Sequence, residues 1–239
     1  MCPRPLRARD GQVSTNIHVS PDKLIGMKFA VKLFSIALFS GYLFADTIVD
    51  VGPASSPGYR IGGPGNDVYL TSWTQSDAYS SVSISAAVAS TGGSFTFDAY
   101  LSTAVGPGAG SALVDSALGL TPPTYTNVPD FKNFTLFTNE TLGAGTYYLT
   151  LFSSDTTPHD LVRLAWGSTV NVGTGITLGV ATISVGTPDT VHPWESTFSV
   201  GTGHPSLTVT GTLEASAPEP STLSMFGIAL IGLALARRK

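Results

Sequence analysis

A repeated alternation of apolar and polar residues constrains the fold of this chain more than any other feature. Successive side chains of a β-strand point to opposite faces of a sheet, so this alternation is typical of half-buried strands. Five segments show it: residues 82–88, 95–101, 162–166, 194–200 and 207–213. Because no window around them carries a clear helical stripe with caps, the pattern predicts an all-β domain.

Turn-forming residues separate these segments. The clusters GGPGND, GPGAGS, TPPT and VGTGHPS combine Gly, Pro, Asn and Ser, which favour turns. Further apolar segments lie at residues 134–137, 146–152 and 178–185, whereas we expect a turn or a short helix within residues 111–120. Together the segments predict a β-sandwich or jelly roll of about eight to ten short antiparallel strands.

The predicted domain, residues 46–215, is strongly acidic. It contains 13 Asp and Glu residues against three basic residues, Arg60, Lys132 and Arg163, which gives a net charge of −10. Proteins that bind nucleic acid through its phosphates need clustered Lys and Arg side chains, so nucleic acid is excluded as a partner. The only cysteine, Cys2, precedes the domain, which therefore has no disulfide.

The segment MKFAVKLFSIALFSGYLFA, residues 27–45, has the order of features of a secretory signal peptide. Two lysines supply its positive start, residues 33–44 form the apolar run, and the small residue Ala45 precedes the polar Asp46. The run is short for a membrane span. We therefore expect an N-terminal signal helix, export by the Sec translocon, and cleavage between Ala45 and Asp46.

The residues before this segment fit no structural pattern. Residues 1–26 lack apolar periodicity, and so long a polar stretch before a signal peptide is unusual. We expect a disordered extension there, or a translation start at Met27 in place of Met1. The predicted organisation is then an extension at 1–26, a signal peptide at 27–45, a β-sandwich at 46–215 and a membrane-sorting tail at 216–239.

A second apolar run lies near the C-terminus. It covers residues 223–236 and is followed by the basic triplet Arg237, Arg238 and Lys239. A bilayer crossing usually takes about 20 residues, so the predicted C-terminal hydrophobic helix is a weak anchor. Basic residues tend to stay on the cytoplasmic side of a membrane, which would leave the preceding domain outside.

This C-terminus resembles the PEP-CTERM sorting signal in all three of its parts. They are the triplet Pro218, Glu219 and Pro220, a short Gly- and Leu-rich helix, and an arginine-rich end. The resemblance implies recognition by an exosortase, a membrane-embedded processing enzyme of Gram-negative bacteria that also make exopolysaccharide. It further implies transient insertion into the inner membrane, with the tail removed or exchanged near the triplet.

The domain itself has a vaguer resemblance. The stretch LGAGTYYLTL is similar to a strand-turn-strand unit of the uncharacterised choice-of-anchor sandwich domains found with PEP-CTERM tails. That resemblance implies that Gly143 and Gly145 shape a turn, and that Tyr147, Leu149 and Leu151 enter the core. It brings no activity with it.

The sequence contains no recognisable catalytic motif. His159, His192 and His204 lie beside prolines or turn residues, which suits exposed loop tips, and no GxSxG elbow or HExxH helix is present. Asp155 and Asp160 could supply oxygens to a calcium ion, but neither EF-hand nor RTX spacing accompanies them, and solvated acidic loops explain them better. We expect no catalytic residue, no metal ligand and no cofactor.

Aromatic residues offer a route to carbohydrate binding. Trp166 and Trp194 follow alternating apolar patterns, so we expect both in the core. Trp73 and Tyr79 bracket the polar segment QSD, and we expect these two to be exposed and to stack on sugar rings.

These features predict an exported protein, transiently anchored in the inner membrane and then located in the cell envelope or extracellular matrix. We expect a structural or adhesive role linked to exopolysaccharide and no enzymatic activity. The alternatives are a dedicated carbohydrate-binding module and a secreted hydrolase, the latter requiring clustered acid-base residues in a cleft.

Overall fold

The computed structural model describes residues 45–62, 67–90, 95–124, 131–153, 162–184, 187–201 and 203–214. All of them belong to one compact unit, Phe44–Lys239. Strands dominate this part of the chain, which contains short 3-10 turns at Gly110–Ala112 and Pro193–Glu195 but no α-helix. Among the described residues, no helix has the length and apolar character needed to cross a membrane. The predicted signal helix and C-terminal helix lie outside the described residues.

Twelve strands are described. They are β1 (Asp46–Ile61), β2 (Tyr69–Gln75), β3 (Tyr79–Ser90), β4 (Phe97–Ser102), β5 (Leu113–Leu120), β6 (Lys132–Leu142), β7 (Gly145–Phe152), β8 (Val162–Val172), β9 (Ile176–Leu178), β10 (Thr182–Ser184), β11 (Phe198–Val200) and β12 (Leu207–Leu213).

The strands form two antiparallel sheets, which confirms the all-β prediction. The first sheet has the order β12-β1-β8-β3-β6, and the second has the order β11-β10-β2-β7-β4-β5 with β9 attached to β2. Strand β12 pairs with β3 as well as with β1, so β12, β1, β8 and β3 form a hydrogen-bonded ring within the first sheet.

The main hydrophobic core contains side chains from both sheets. Ile84 and Leu164 come from the first sheet, while Phe97, Leu149 and Leu151 come from the second, and each is at most 2% exposed. Their neighbours along each strand point to the opposite face, as the alternation predicts. Burial of a large apolar side chain stabilises a fold by about 1.5–3 kcal/mol, so this core carries the sandwich without any disulfide.

A smaller cluster covers the other face of the second sheet. Tyr100 and Phe152 alternate with core residues along β4 and β7, and they contact Ala109 and Trp194 from two connecting segments. Trp194 is only 4% exposed, and its indole N–H donates to the carbonyl oxygen of Ala109 at 3.1 Å. The prediction that Trp194 is buried is confirmed, although it lies on a 3-10 turn and not on a strand.

Two segments differ from the sequence prediction. Residues 111–120 were expected to form a turn or short helix, but they form the end of a 3-10 turn and the edge strand β5. Strand β1, the longest at 16 residues, has no counterpart among the predicted strands. Gly and Pro interrupt its pattern, and its pairing with β8 shifts register between Ala54 and Ser56 and between Pro57 and Arg60. Bulges of this kind depend on a partner strand, so a local pattern does not reveal them.

Candidate functional site

The two ends of the sandwich domain lie side by side on one sheet. Strand β1 begins at Asp46, which is paired with Gly211 of β12, and β12 ends at Leu213. Because these neighbouring strands are antiparallel, the start of one lies beside the finish of the other. The connections toward the predicted signal peptide and toward the sorting tail are therefore at the same end of the domain, which we call the exit end (Asp46 and Leu213).

A shallow acidic cleft of about 370 Å³ lies at the exit end, and its lining includes Asp46, Asp77, Tyr79 and Leu213. Burial raises the pKa of the Tyr79 hydroxyl, and the charges of Asp77 and Asp46 raise it further. The cleft therefore favours cationic or neutral groups over anions.

The residues predicted to be cut by signal peptidase lie at this end. Ala45 and Asp46 are both exposed, directly before and at the start of β1. Cleavage there stays a prediction. The sorting triplet Pro218, Glu219 and Pro220 and the basic residues Arg237, Arg238 and Lys239 lie outside the described residues.

The prediction of an exposed aromatic platform at Trp73 and Tyr79 is wrong. Trp73 is 0% exposed and Tyr79 is 5% exposed, so neither ring presents a face on which a sugar could stack. Trp73 instead packs against Tyr147, with ring centroids 5.7 Å apart in a stacked arrangement. Both residues belong to the main core; of the polar segment between them, Ser76 and Asp77 are exposed while Gln75 is buried.

A buried glutamine holds Trp73 in place. The Trp73 indole N–H donates to Oε1 of Gln75 at 3.0 Å. The Gln75 amide nitrogen lies 3.1, 3.2 and 2.9 Å from the carbonyl oxygens of Asp77, Leu142 and Gly143. Gln75 therefore joins β2 to the turn between β6 and β7, which is the turn that the sequence resemblance implied.

The first sheet presents a row of polar side chains on its outer face. Thr135, Ser85, Thr208, Asp50 and Asn171 occupy paired positions on β6, β3, β12, β1 and β8. We call these five residues the polar row. Neighbouring strands are about 4.8 Å apart, so the row is about 19 Å long.

Side-chain hydrogen bonds connect part of the polar row. The amide of Asn133 donates to the Thr208 hydroxyl at 3.2 Å, and that hydroxyl donates to Asp50 at 3.5 Å. These residues, with Asn171 and Thr169, line an open groove of about 460 Å³. The groove offers hydroxyl, amide and carboxylate groups, so it is suited to hydrogen-bonding a hydroxyl-rich ligand.

A second polar cluster lies on the segment that covers the second sheet. Asp189, His192 and Glu195 each offer one side-chain ligand atom, and these atoms lie within 4.8 Å of one another. The backbone N–H groups of His192 and Val191 both donate to Oδ1 of Asp189 at 2.8 Å, and these hydrogen bonds lower the pKa of the Asp189 carboxyl.

The sequence reasoning identified His192 as an exposed loop residue but missed its neighbours. The usable signal was the spacing of His192 and Glu195, because residues three apart share one side of a 3-10 turn. Of the other histidines considered, His204 has a ring nitrogen 3.2 Å from the Gly179 carbonyl oxygen and is partly buried. His159 lies outside the described residues.

Comparison with known proteins identifies the C-terminal segment. Residues 216–239 match the PEP-CTERM protein-sorting motif, which confirms the resemblance drawn from the Pro-Glu-Pro triplet and the segment behind it. The motif implies an exported protein that an exosortase, a membrane processing enzyme, recognises on its way to the envelope. No curated protein matches the chain.

Among solved structures, a chain in "Structure of infectious bursal disease virus Gt strain" aligns at 11% sequence identity. The alignment covers 80% of this chain and 50% of that one, so the protein spans about half the length of the chain it matches. The TM-score is 0.29, and no conclusion on fold or function follows from the similarity.

Proposed function

We propose that this protein is an exosortase substrate that displays an acidic β-sandwich in the cell envelope or extracellular matrix, where it has a structural or adhesive role. The single observation that carries the proposal is the PEP-CTERM motif at residues 216–239. A Sec-type signal peptide at residues 27–45 would start export, and the C-terminal helix would hold the protein in the inner membrane until processing.

The arrangement at the exit end supports this route. Asp46 and Gly211 are paired, so both connections leave the domain on neighbouring strands. Cleavage of the chain before Asp46, where β1 begins, or after Leu213, where β12 ends, would leave every described strand intact. Processing therefore requires no unfolding of the sandwich, which suits a substrate that folds before its tail is removed.

The nearest concrete form of the adhesive role is binding to exopolysaccharide through the polar row. Because Trp73 and Tyr79 are buried, stacking of sugar rings on these two residues is not the basis of the proposed binding. Hydrogen bonds of sugar hydroxyls with Thr208, Asp50 and Asn171 would take its place, since these side chains line one continuous groove. We further propose a non-catalytic role, in which the sandwich serves as a binding surface.

Sorting is tested by intact mass and membrane fractionation in strains with and without the exosortase. The test variant replaces Pro218, Glu219 and Pro220 with Ala, and the matched control replaces the adjacent Ser221 and Thr222 with Ala. We expect the control to be processed to a species that begins near Asp46 and ends near the triplet. The triplet variant should keep its tail and stay in the membrane fraction. Equal processing of both variants would contradict the proposal.

Polysaccharide binding is tested separately, with exopolysaccharide isolated from the producing strain. Thr208→Val removes a hydroxyl from the polar row, and Thr146→Val removes a comparable partly buried hydroxyl from the second sheet. We expect T208V to weaken binding several-fold and T146V to leave it unchanged. If both variants bind like the unaltered protein, the polar row is not the binding surface, while the sorting result stands independently.

A further inference from the structure

We propose that Asp189, His192 and Glu195 form a binding site for one divalent transition-metal ion of the zinc class. The three residues are spaced three apart, and the segment between His192 and Glu195 is a 3-10 turn. Side chains at positions i and i+3 of a 3-10 turn eclipse each other. His192 and Glu195 consequently face the same way, and Nδ1 of His192 lies 3.7 Å from Oε2 of Glu195.

The backbone that carries the three side chains is anchored to the sandwich. Trp194, between two of them, is buried and donates to Ala109, while its carbonyl oxygen accepts the N–H of Gly106 at 2.8 Å. The N–H of Asp189 donates to the Ser196 hydroxyl at 3.0 Å, which closes the loop around the turn. Because this backbone is already held in place, binding of an ion would cost less conformational entropy in the ligand residues.

Each of the three side chains has an atom free to coordinate. The two backbone hydrogen bonds to Asp189 use Oδ1, which leaves Oδ2. The His192 side chain is 48% exposed and that of Glu195 is 18% exposed, so the site opens to solvent on the histidine side. A Cβ at Gly110 would lie 2.9 Å from Oε1 of Glu195; the absence of a side chain at residue 110 leaves the space that this carboxylate occupies.

The donor set selects the class of ion. One imidazole nitrogen with two carboxylate oxygens suits zinc and related transition metals, whereas calcium takes six to eight oxygens and magnesium also prefers oxygen. Ligand atoms about 2.1 Å from a tetrahedral zinc ion are about 3.4 Å apart. The separations here, 3.7 Å for the His192–Glu195 pair and at most 4.8 Å between any two of the three ligand atoms, are longer than that value, so the side chains would draw together around the ion. The fourth position would be left to water.

The alternative is a simple ion pair between His192 and Glu195, with Asp189 acting only as a turn cap. Conservative variants separate the two interpretations. Asp189→Asn keeps an oxygen that can accept the two backbone N–H groups but removes the negative charge. His192→Gln and Glu195→Gln remove a ligand while keeping a polar side chain of similar length. His204→Gln is the matched control, because it removes a histidine that lies outside the cluster.

The experiment uses the full-length chain without a polyhistidine tag, purified in mild detergent and stripped with a chelator. Isothermal titration with zinc chloride is compared with titration of calcium chloride, and equilibrium dialysis gives the bound metal per chain. We expect one equivalent of zinc, calcium binding at least tenfold weaker, and at least tenfold weaker zinc binding in each of the three cluster variants. H204Q should bind within twofold of the unaltered protein.

A second measurement locates the ion. The His192 ring lies edge-on to Trp194 with centroids 5.3 Å apart, so paramagnetic cobalt at the site should quench tryptophan fluorescence, and Trp194→Phe should abolish most of that change. Circular dichroism confirms that each variant is folded. Zinc binding below half an equivalent, or binding that D189N, H192Q and E195Q leave unchanged, would overturn the proposal.

Discussion

At the scale of single residues, the buried side chain of Gln75 links β2 to the turn between β6 and β7. Its oxygen accepts from Trp73, and its nitrogen reaches carbonyl groups of Leu142 and Gly143. A buried polar group left without a partner costs about 1–3 kcal/mol. Several groups in this network depend on the one amide.

We expect Gln75→Leu to lower the free energy of unfolding by about 3 kcal/mol, because the Trp73 N–H and the two carbonyl groups lose their partner together. Urea unfolding followed by tryptophan fluorescence measures the loss. Ser76→Ala is the control; it removes an exposed hydroxyl beside the network and should change stability by less than about 0.5 kcal/mol. A loss in Q75L no larger than in S76A would show that water satisfies the freed groups.

Glu140, on the edge strand β6 of the first sheet, interacts with Asp115 on the edge strand β5 of the second sheet. Burial raises the pKa of the Glu140 carboxyl above its ordinary value of 4.5, and the charge of Asp115 on β5 and a hydrogen bond to it raise it further. Ionised Glu140 therefore disfavours the folded state. The contribution of Glu140 to the free energy of unfolding should increase as the pH falls through the raised pKa that this carboxyl has in the folded state. The increase is complete once the pH is below the pKa of the same carboxyl in the unfolded state.

We expect Glu140→Gln to stabilise the protein near neutral pH, by less than about 1 kcal/mol because Glu140 is only partly buried and solvent screens its charge. The gain should vanish below the ordinary pKa, where the carboxyl is protonated in both states. Urea unfolding at the two pH values measures both quantities. Glu214→Gln, at an exposed position, is the matched control. A gain that persists at low pH would contradict the electrostatic cause.

At the scale of elements, the pairing of β1 with β8 depends on close backbone approach. A Cβ at Gly167 would clash with Cγ1 of Val51 and lie 2.9 Å from the Val51 carbonyl oxygen. Both contacts are across the strand pair, where Gly167 is paired near a bulge in β1. Glycine at this position lets the two strands approach despite the irregular register.

We expect Gly167→Ala to destabilise the protein by about 1–3 kcal/mol, because the strands must separate to admit the methyl group. Gly143→Ala is the control, since a Cβ there meets nothing within 4 Å; it should be neutral or stabilising by less than about 1 kcal/mol. Thermal and urea unfolding compare the two variants. Equal stabilities would mean that the β1 bulge absorbs the methyl group.

At the scale of the whole molecule, β12 is the last described strand and also an interior one. It is paired with β1 on one side and with β3 on the other, and its inward residues Leu207 and Val209 are buried in the main core. The sandwich is therefore completed only by the residues immediately before the sorting tail. Any processing that preserves the fold has to act beyond Leu213.

We expect a chain that ends at Ala215 to keep the stability of the full domain, because it retains all of β12. A chain that ends at Ser206 should fail to fold, since β1 and β3 lose their shared partner and the core loses Leu207 and Val209. Circular dichroism and resistance to limited proteolysis distinguish the two. A folded, protease-resistant product ending at Ser206 would contradict this account of β12.

The sequence by itself determined the features that depend on local order along the chain. Alternation predicted β3, β4, β12 and the first part of β8, because the two faces of a strand differ at every step. The sorting motif at residues 216–239 was also predictable from the sequence, because its parts follow one another along the chain. The prediction that nucleic acid is not a partner also needed only the acidic composition and no knowledge of the fold.

Only the tertiary structure decided the features that depend on partners distant in sequence. Strand β1 exists through its bulged pairing with β8, the burial of Trp73 depends on Tyr147 and Gln75, and the polar row is assembled from five strands. The cluster of Asp189, His192 and Glu195 combines both kinds of feature. Its spacing is visible in the sequence, but its position depends on the hydrogen bond from the Trp194 indole to the distant Ala109 carbonyl group. The direction of a side chain in a sheet follows from the alternation of neighbouring residues along the strand. Its exposure to solvent depends instead on which distant segments of the chain pack against that face of the sheet.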